Sequence, residues 1–158
     1  IGAATSFASP TPTLLPNPTI ETSPTLTPTP IPLGINEFLP NPVEGVDWVE
    51  LYSEVDTDIS GYVLDDVGTI TDMSVIPAGT FIGPSTSRYL TVTVGDRLNL
   101  AGDTIYLYTP AQALLIESAT YSPNPGADIS IGKDPDGTLP FANCTTASQG
   151  ASNNGLCP

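Results

Sequence analysis

Proline constrains this chain before anything else does. Eight prolines fall between positions 10 and 32, at Pro10, Pro12, Pro16, Pro18, Pro24, Pro28, Pro30 and Pro32. Each fixes φ and removes a backbone donor, so neither a helix nor a continuous strand ladder can run through them. An extended or polyproline II course remains. Residues 1–33 are more than half Pro, Thr and Ser, with Glu21 as their only charge. At ~3.1 Å per residue such an arm reaches about 100 Å, against a radius of gyration of about 14 Å for a body of the remaining length. The arm can therefore cross a neighbouring domain.

Two readings of the arm compete. Ser/Thr/Pro tracts are often glycosylated stalks, and Thr25, Thr27 and Thr29, each beside or near proline, are candidate acceptors of O-linked sugar. A spacer, however, does not need the apolar residues set along this one: Ile1, Phe7, Leu14, Leu15, Ile20, Leu26 and Ile31. These are candidate contacts to another subunit. Residues 1–9 also lack proline and could add as a strand to a foreign sheet edge.

From residue 34 the pattern changes. Residues 35–39 are a short strand ended by Pro40, and Asn41-Pro42 and Glu44-Gly45 are turn signals. Residues 47–53 alternate, with Val49 and Leu51 on one face and Trp48, Glu50 and Tyr52 on the other. Further strands are expected at 59–64, 70–76, 86–94, 98–100, 104–108 and 129–132. Residues 111–121 have helix-forming composition at AQALLIESA, but their place after a strand and a short turn favours a hairpin partner. Everything from Lys133 on reads as loop. Turn signals every ten residues or so, without βαβ alternation, indicate an all-β antiparallel sandwich over 34–158 that carries the extended Pro/Thr-rich arm, 1–33.

Charge narrows the partners. Seventeen acids face three bases, Arg88, Arg97 and Lys133, for a net charge of −14. Nucleic acid and anionic membrane surfaces call for the opposite sign. A divalent cation such as Ca2+ is a candidate partner of so acidic a surface; no other cofactor is indicated. No run of 18 apolar residues is present to span a bilayer. Cys144 and Cys157, 13 positions apart, are expected to pair as a disulfide in an oxidising, exported setting. The chain begins at Ile1 rather than Met, which suggests that a signal peptide has been removed.

The motifs INEFLPNP, DWVELYS, DISGYVLDD, IPAGTFI, RYLTV, LNLAGDTIYLYTP, ESATYS and SIGKDPDG follow one another in the order seen in bacterial lamin-tail domains. The chain resembles that family from Ile35 to Phe141 and on towards Asn154. The resemblance implies an immunoglobulin-like β-sandwich, of a kind often found on exported, surface-associated bacterial proteins and sometimes beside hydrolases. It implies no catalytic residues. The long arm and the C-terminal cysteine loop depart from the family pattern. Heptads are absent, which excludes assembly through a lamin-like coiled coil.

Catalytic constellations find little support. There is no histidine, hence no Ser-His-Asp or Cys-His arrangement and no histidine-bearing zinc site. Glu37 and Glu50 fall on adjacent expected strands, but a glycosidase needs its two acids across a cleft; they read as ordinary strand-face carboxylates. Asp134-Pro135-Asp136-Gly137 resembles a fragment of a calcium loop without its glycine and glutamate spacing, and reads as a plain turn. Asn143-Cys144-Thr145 fits an N-glycosylation sequon, making Asn143 a candidate. Trp48, Tyr52, Tyr62, Tyr89, Tyr106 and Tyr108 read as core or cross-strand packing. The expected role is non-enzymatic: a structural subunit of an extracellular filament or cell-surface assembly, polymerised by its own arm. The alternative is a monomeric adhesion module on a glycosylated stalk, binding a glycan, a cation or a protein.

Overall fold

The computed structural model describes residues 1–3, 32–68 and 73–158. Phe7, Leu14, Leu15, Ile20, Leu26, Ile31 and the three threonine candidates fall outside them, as does the beginning of the strand expected at 70–76. Eleven strands make up the described body: β1 (Gly34–Leu39), β2 (Asp47–Tyr52), β3 (Thr57–Asp58), β4 (Val63–Asp65), β5 (Ser74–Val75), β6 (Phe81–Ile82), β7 (Tyr89–Gly95), β8 (Asp103–Tyr108), β9 (Leu115–Tyr121), β10 (Ile131–Lys133) and β11 (Phe141–Asn143). One 3-10 turn, Pro110–Gln112, is the only helical piece among the described residues. All pairings are antiparallel. One sheet runs β11-β10-β1-β2-β7, a second runs β5-β4-β8-β9, and β3 pairs separately with β6.

The two larger sheets share one hydrophobic core. Ile35, Phe38, Val49 and Leu51 of the first meet Leu64, Ile105, Leu107, Ala119 and Tyr121 of the second. The Phe38 ring lies 5.4 Å from Tyr121 and 5.7 Å from Phe141, tilted against both. Each fully buried Phe, Leu, Ile or Val contributes about 1.5–3 kcal/mol relative to exposure, so this layer supplies most of the driving force for folding.

Several boundaries differ from those expected, for local reasons. The strand expected at 59–64 is interrupted by a turn at Ser60–Gly61, where Gly61 takes a positive φ of 75° and its N–H donates to the Ile76 carbonyl. The segment 98–100 is not a strand: its N–H groups turn to side chains, Leu98 to Asp47 Oδ2 (2.8 Å) and Asn99 to Asp103 Oδ2 (3.1 Å). The region from Lys133 on is not all loop, since Lys133 closes β10 and Phe141–Asn143 pairs with it in register. At 111–121 the hairpin reading holds, as β9 pairs with β8 over most of its length.

The largest departure concerns the outer face of β1 and β2. An antiparallel sheet commonly leaves one face to water. Here every residue of both strands is buried. The alternation expected in β2 is present, with Val49 and Leu51 in the inter-sheet core. Trp48, Glu50 and Tyr52 on the opposite face are buried as well. Trp48 therefore lies on the covered outer face, not among the inter-sheet core residues.

Candidate functional site

A β-bulge builds the first candidate site. In the β1–β2 ladder Ile35 pairs with Leu51 and Glu37 with Glu50, leaving Asn36 as the extra residue. The bulge turns Asn36 and Glu37 to the outer face together while Ile35 and Phe38 stay in the core. Glu37 and Glu50 are fully buried, and Asp136, in the turn after β10, is nearly so.

Neutral donors satisfy these three carboxylates. Glu37 accepts from the hydroxyls of Ser130 (2.5 Å) and Ser148 (2.6 Å) and from the Ser148 N–H (3.2 Å). Glu50 accepts from Asn36 Nδ2 (3.1 Å) and from the Gly150 N–H. Asp136 accepts from Asn36 Nδ2 (3.0 Å), the Asn153 N–H (2.9 Å), and the hydroxyls of Tyr89 (2.8 Å) and Ser152 (2.6 Å). Burial pushes the Glu50 carboxyl up to about 7, against its bonds to Asn36 and Gly150, and the neighbouring Glu37 and Asp136 carboxylates add to the rise. Burial and the bond to Asp136 raise the Tyr89 phenol to about 12.

The covering piece is the C-terminal loop. Cys144 and Cys157 form a disulfide. The pair rests on Gly132 of β10, where a Cβ would stand 3.0 Å from each sulfur and 2.7 Å from Asn153 Nδ2. Asp134 fastens the far end of the loop by accepting from the N–H groups of Gly155 (2.7 Å) and Cys157 (3.3 Å). Backbone N–H groups and serine hydroxyls of the loop thus form a neutral cradle for the acids beneath.

This corrects two sequence expectations. Glu37 and Glu50 are not ordinary strand-face carboxylates, because the loop closes over them. They face no cleft, and their oxygens are already taken. The Asp134–Gly137 segment is more than a plain turn: Thr138 N–H does donate to the Pro135 carbonyl (3.1 Å), but both aspartates tie down the C-terminal loop. Among the described residues no group of three or more His, Cys, Asp or Glu is arranged to hold a metal ion. The sequon residue Asn143 is exposed in β11, paired with Ile131, and its neighbour Cys144 is in the disulfide. Four of the tyrosines pack in cross-strand or same-face pairs, Tyr52 with Tyr89 at 5.2 Å and Tyr106 with Tyr108 at 6.1 Å, and Tyr62 packs against the core.

The second candidate site is open. Along one side of the body, the edge strand β9 lies against β1 of the other sheet, with β10 and β11 beyond it. Near its start, a depression of about 210 Å³ is lined by Pro32, Leu33, Ile116, Glu117 and Lys133. Near its end, a depression of about 460 Å³ lies between Thr120, Tyr121, Pro123 and the strands carrying Ile131 and Phe141. A buried ion pair joins the two sheets here: Lys133 Nζ stands 2.6 Å from Glu117 Oε1 and 4.9 Å from the centre of the Phe141 ring. Glu117 Oε2 accepts from the Ile35 N–H (2.8 Å). Leu33, the last arm residue, packs against the core at this point.

Neither a family model, nor a curated protein, nor a solved structure matches the chain.

Sequence reasoning missed Asn36, Ser130, Ser148, Gly150, Ser152 and Asn153 as members of the acid cluster. The available signal was chemical. The last fifteen residues are rich in Ser, Asn and Gly with no charge, a composition that donates hydrogen bonds from an irregular backbone.

Proposed function

We propose that this protein is a structural subunit of an extracellular filament or cell-surface assembly, non-enzymatic, held together by the N-terminal arm of one subunit on the body of the next. The observation that carries this reading is the junction at Leu33. A chain of at least 31 residues, set with apolar side chains, leads into the body beside an edge strand and an open groove. Repeated head-to-tail contacts of this kind do not close and so generate filaments.

The closed acid cluster supports the non-enzymatic part. The convergent carboxylates serve to hold a loop, and that loop is fixed by a disulfide suited to an oxidising compartment. The order of strand motifs supports an immunoglobulin-like, lamin-tail-type sandwich as the body. No helix among the described residues is long and apolar enough to cross a membrane.

Limited proteolysis of purified full-length material tests the proposal. In concentrated, sedimenting samples the arm is expected to resist cleavage, and on dilution to the dispersed subunit it becomes sensitive. An arm cut at one rate in both, with the body intact, identifies a free stalk and favours the adhesion-module alternative.

A further inference from the structure

We infer that the groove between β9 and β11 is the acceptor slot for residues 1–9 of a second copy of this chain. This rests on the proposed arm-mediated assembly and specifies where the arm binds.

Among the described residues β9 has β8 on one side and no strand on the other. At seven residues it is one of the two longest edges in the body; β7 is the other. Edge strands are usually guarded by lysine, proline, brevity, a bulge or an inward charge; β9 has no lysine or proline and is not short, and its guards, the bulge and Glu117, both lie in its first half. Its one irregularity is a bulge at Ile116, where Leu107 pairs with Glu117 and Tyr108 with Leu115. Beyond the bulge, Glu117 to Tyr121 is a regular edge. β5 approaches the flank of β7, and β1 approaches that of β9 at its start, where the Ile35 N–H reaches Glu117. The end of β9, at Thr120 and Tyr121, looks across a depression at the edge of the opposite sheet, with Phe141 and Ile131 on the far wall.

The occupant is written in the arm. Residues 1–9, IGAATSFAS, are its one proline-free stretch of that length. In strand alternation they place Ile1, Ala3, Thr5 and Phe7 on one face and Gly2, Ala4, Ser6 and Ala8 on the other. One face therefore carries the bulky apolar groups and the other only small ones, as a strand inserted between two sheet edges requires. Ile1 to Phe7 spans about 20 Å at ~3.3 Å per residue, enough to cover the regular edge from Glu117 to Tyr121, about 13 Å. The long Pro/Thr tract between residue 9 and Leu33 is far more chain than covering the groove of the same body needs, and it has the reach to cross to a neighbour.

Three full-length variants test this by sedimentation and electron microscopy: Ser118→Lys on β9, Thr93→Lys on β7, and Phe7→Glu on the arm. Ser118 and Thr93 are both exposed, so neither change disturbs the core. Phe7→Glu, by burying an unpaired charge, and Ser118→Lys, by setting a guarding lysine on the edge, are expected to raise the concentration needed for assembly about a hundredfold; Thr93→Lys leaves it unchanged. A photo-cross-linker at Ser118, in subunits mixed from heavy and light isotope cultures, should join heavy 118 to light 1–9. If Phe7→Glu and Thr93→Lys block assembly but Ser118→Lys does not, the slot is misplaced and arm-mediated assembly stands. Cross-links confined to single chains place a chain's own arm in the groove and overturn the second-copy assignment. Unchanged assembly in all three variants overturns both the slot and the proposed assembly.

Discussion

Glu37 and Glu50 stand directly opposite each other on β1 and β2, both fully buried, and the donors that meet their oxygens are all neutral. Two like charges side by side without a cation are unfavourable as ions. The C-terminal loop is what makes the arrangement tolerable, and the arrangement in turn gives the loop its anchors.

Stability should consequently fall as pH rises through neutrality. The Glu50 carboxyl is raised from 4.5 to about 7 in the folded protein, so the folded state holds its proton more tightly than the unfolded chain. That contribution is fully present below about 4.5 and is lost as pH rises through about 7. The difference is of the order of 3 kcal/mol. Thermal unfolding between pH 5 and pH 8 checks it, with a higher Tm expected at pH 5. Glu50→Gln should flatten the dependence in that window.

Reducing the Cys144–Cys157 disulfide should release the cover without dissolving the core. The loop-entropy argument gives a loss of about 3 kcal/mol for a loop of this size. Trp48, the only tryptophan, shares a depression with Gln149 of that loop. Its fluorescence should shift to the red on reduction, while the circular dichroism of the sheets is retained.

Gly132→Ala should be costly although Gly132 sits in a strand, where alanine normally does no worse. The added Cβ would meet both disulfide sulfurs and Asn153 Nδ2 at 3.0 Å or less. Overpacking of this kind destabilises by about 1–3 kcal/mol. A urea titration should show a lower midpoint with an unchanged slope.

Lys133→Met leaves Glu117 without its cation at the join of the two sheets. Breaking a buried pair costs about 3–5 kcal/mol; the lower end is expected, because Glu117 keeps a fifth of its side chain exposed. Adding Glu117→Gln should restore part of the loss. If the double variant is no more stable than the single one in denaturant titration, the pair is not what holds the sheets together there.

The longer strands of the body were legible because proline, glycine and paired turn residues punctuate them, and Val49 with Leu51 announced the core face by simple alternation; the short β3, β6 and β11 carry too few residues to show a period. The acid cluster was not legible, for a physical reason. Period-2 reading sets Glu50 on the face away from Val49 and Leu51, and an acid there reads as an ordinary strand-face carboxylate. What buries it is a loop from the other end of the chain, more than 90 residues later, and an irregular loop has no period to read. The bulge at Asn36 hid the rest, since it puts two successive polar residues on one face. The disulfide was legible from the two cysteines, but not its seat on Gly132.

The most direct measurement is electron microscopy of purified full-length protein beside the Phe7→Glu variant at equal concentration. The account expects regular filaments from the native chain and dispersed particles from the variant, with matching Tm values showing that both bodies are folded. Dispersed native particles at every concentration, or filaments indistinguishable between the two, would contradict it.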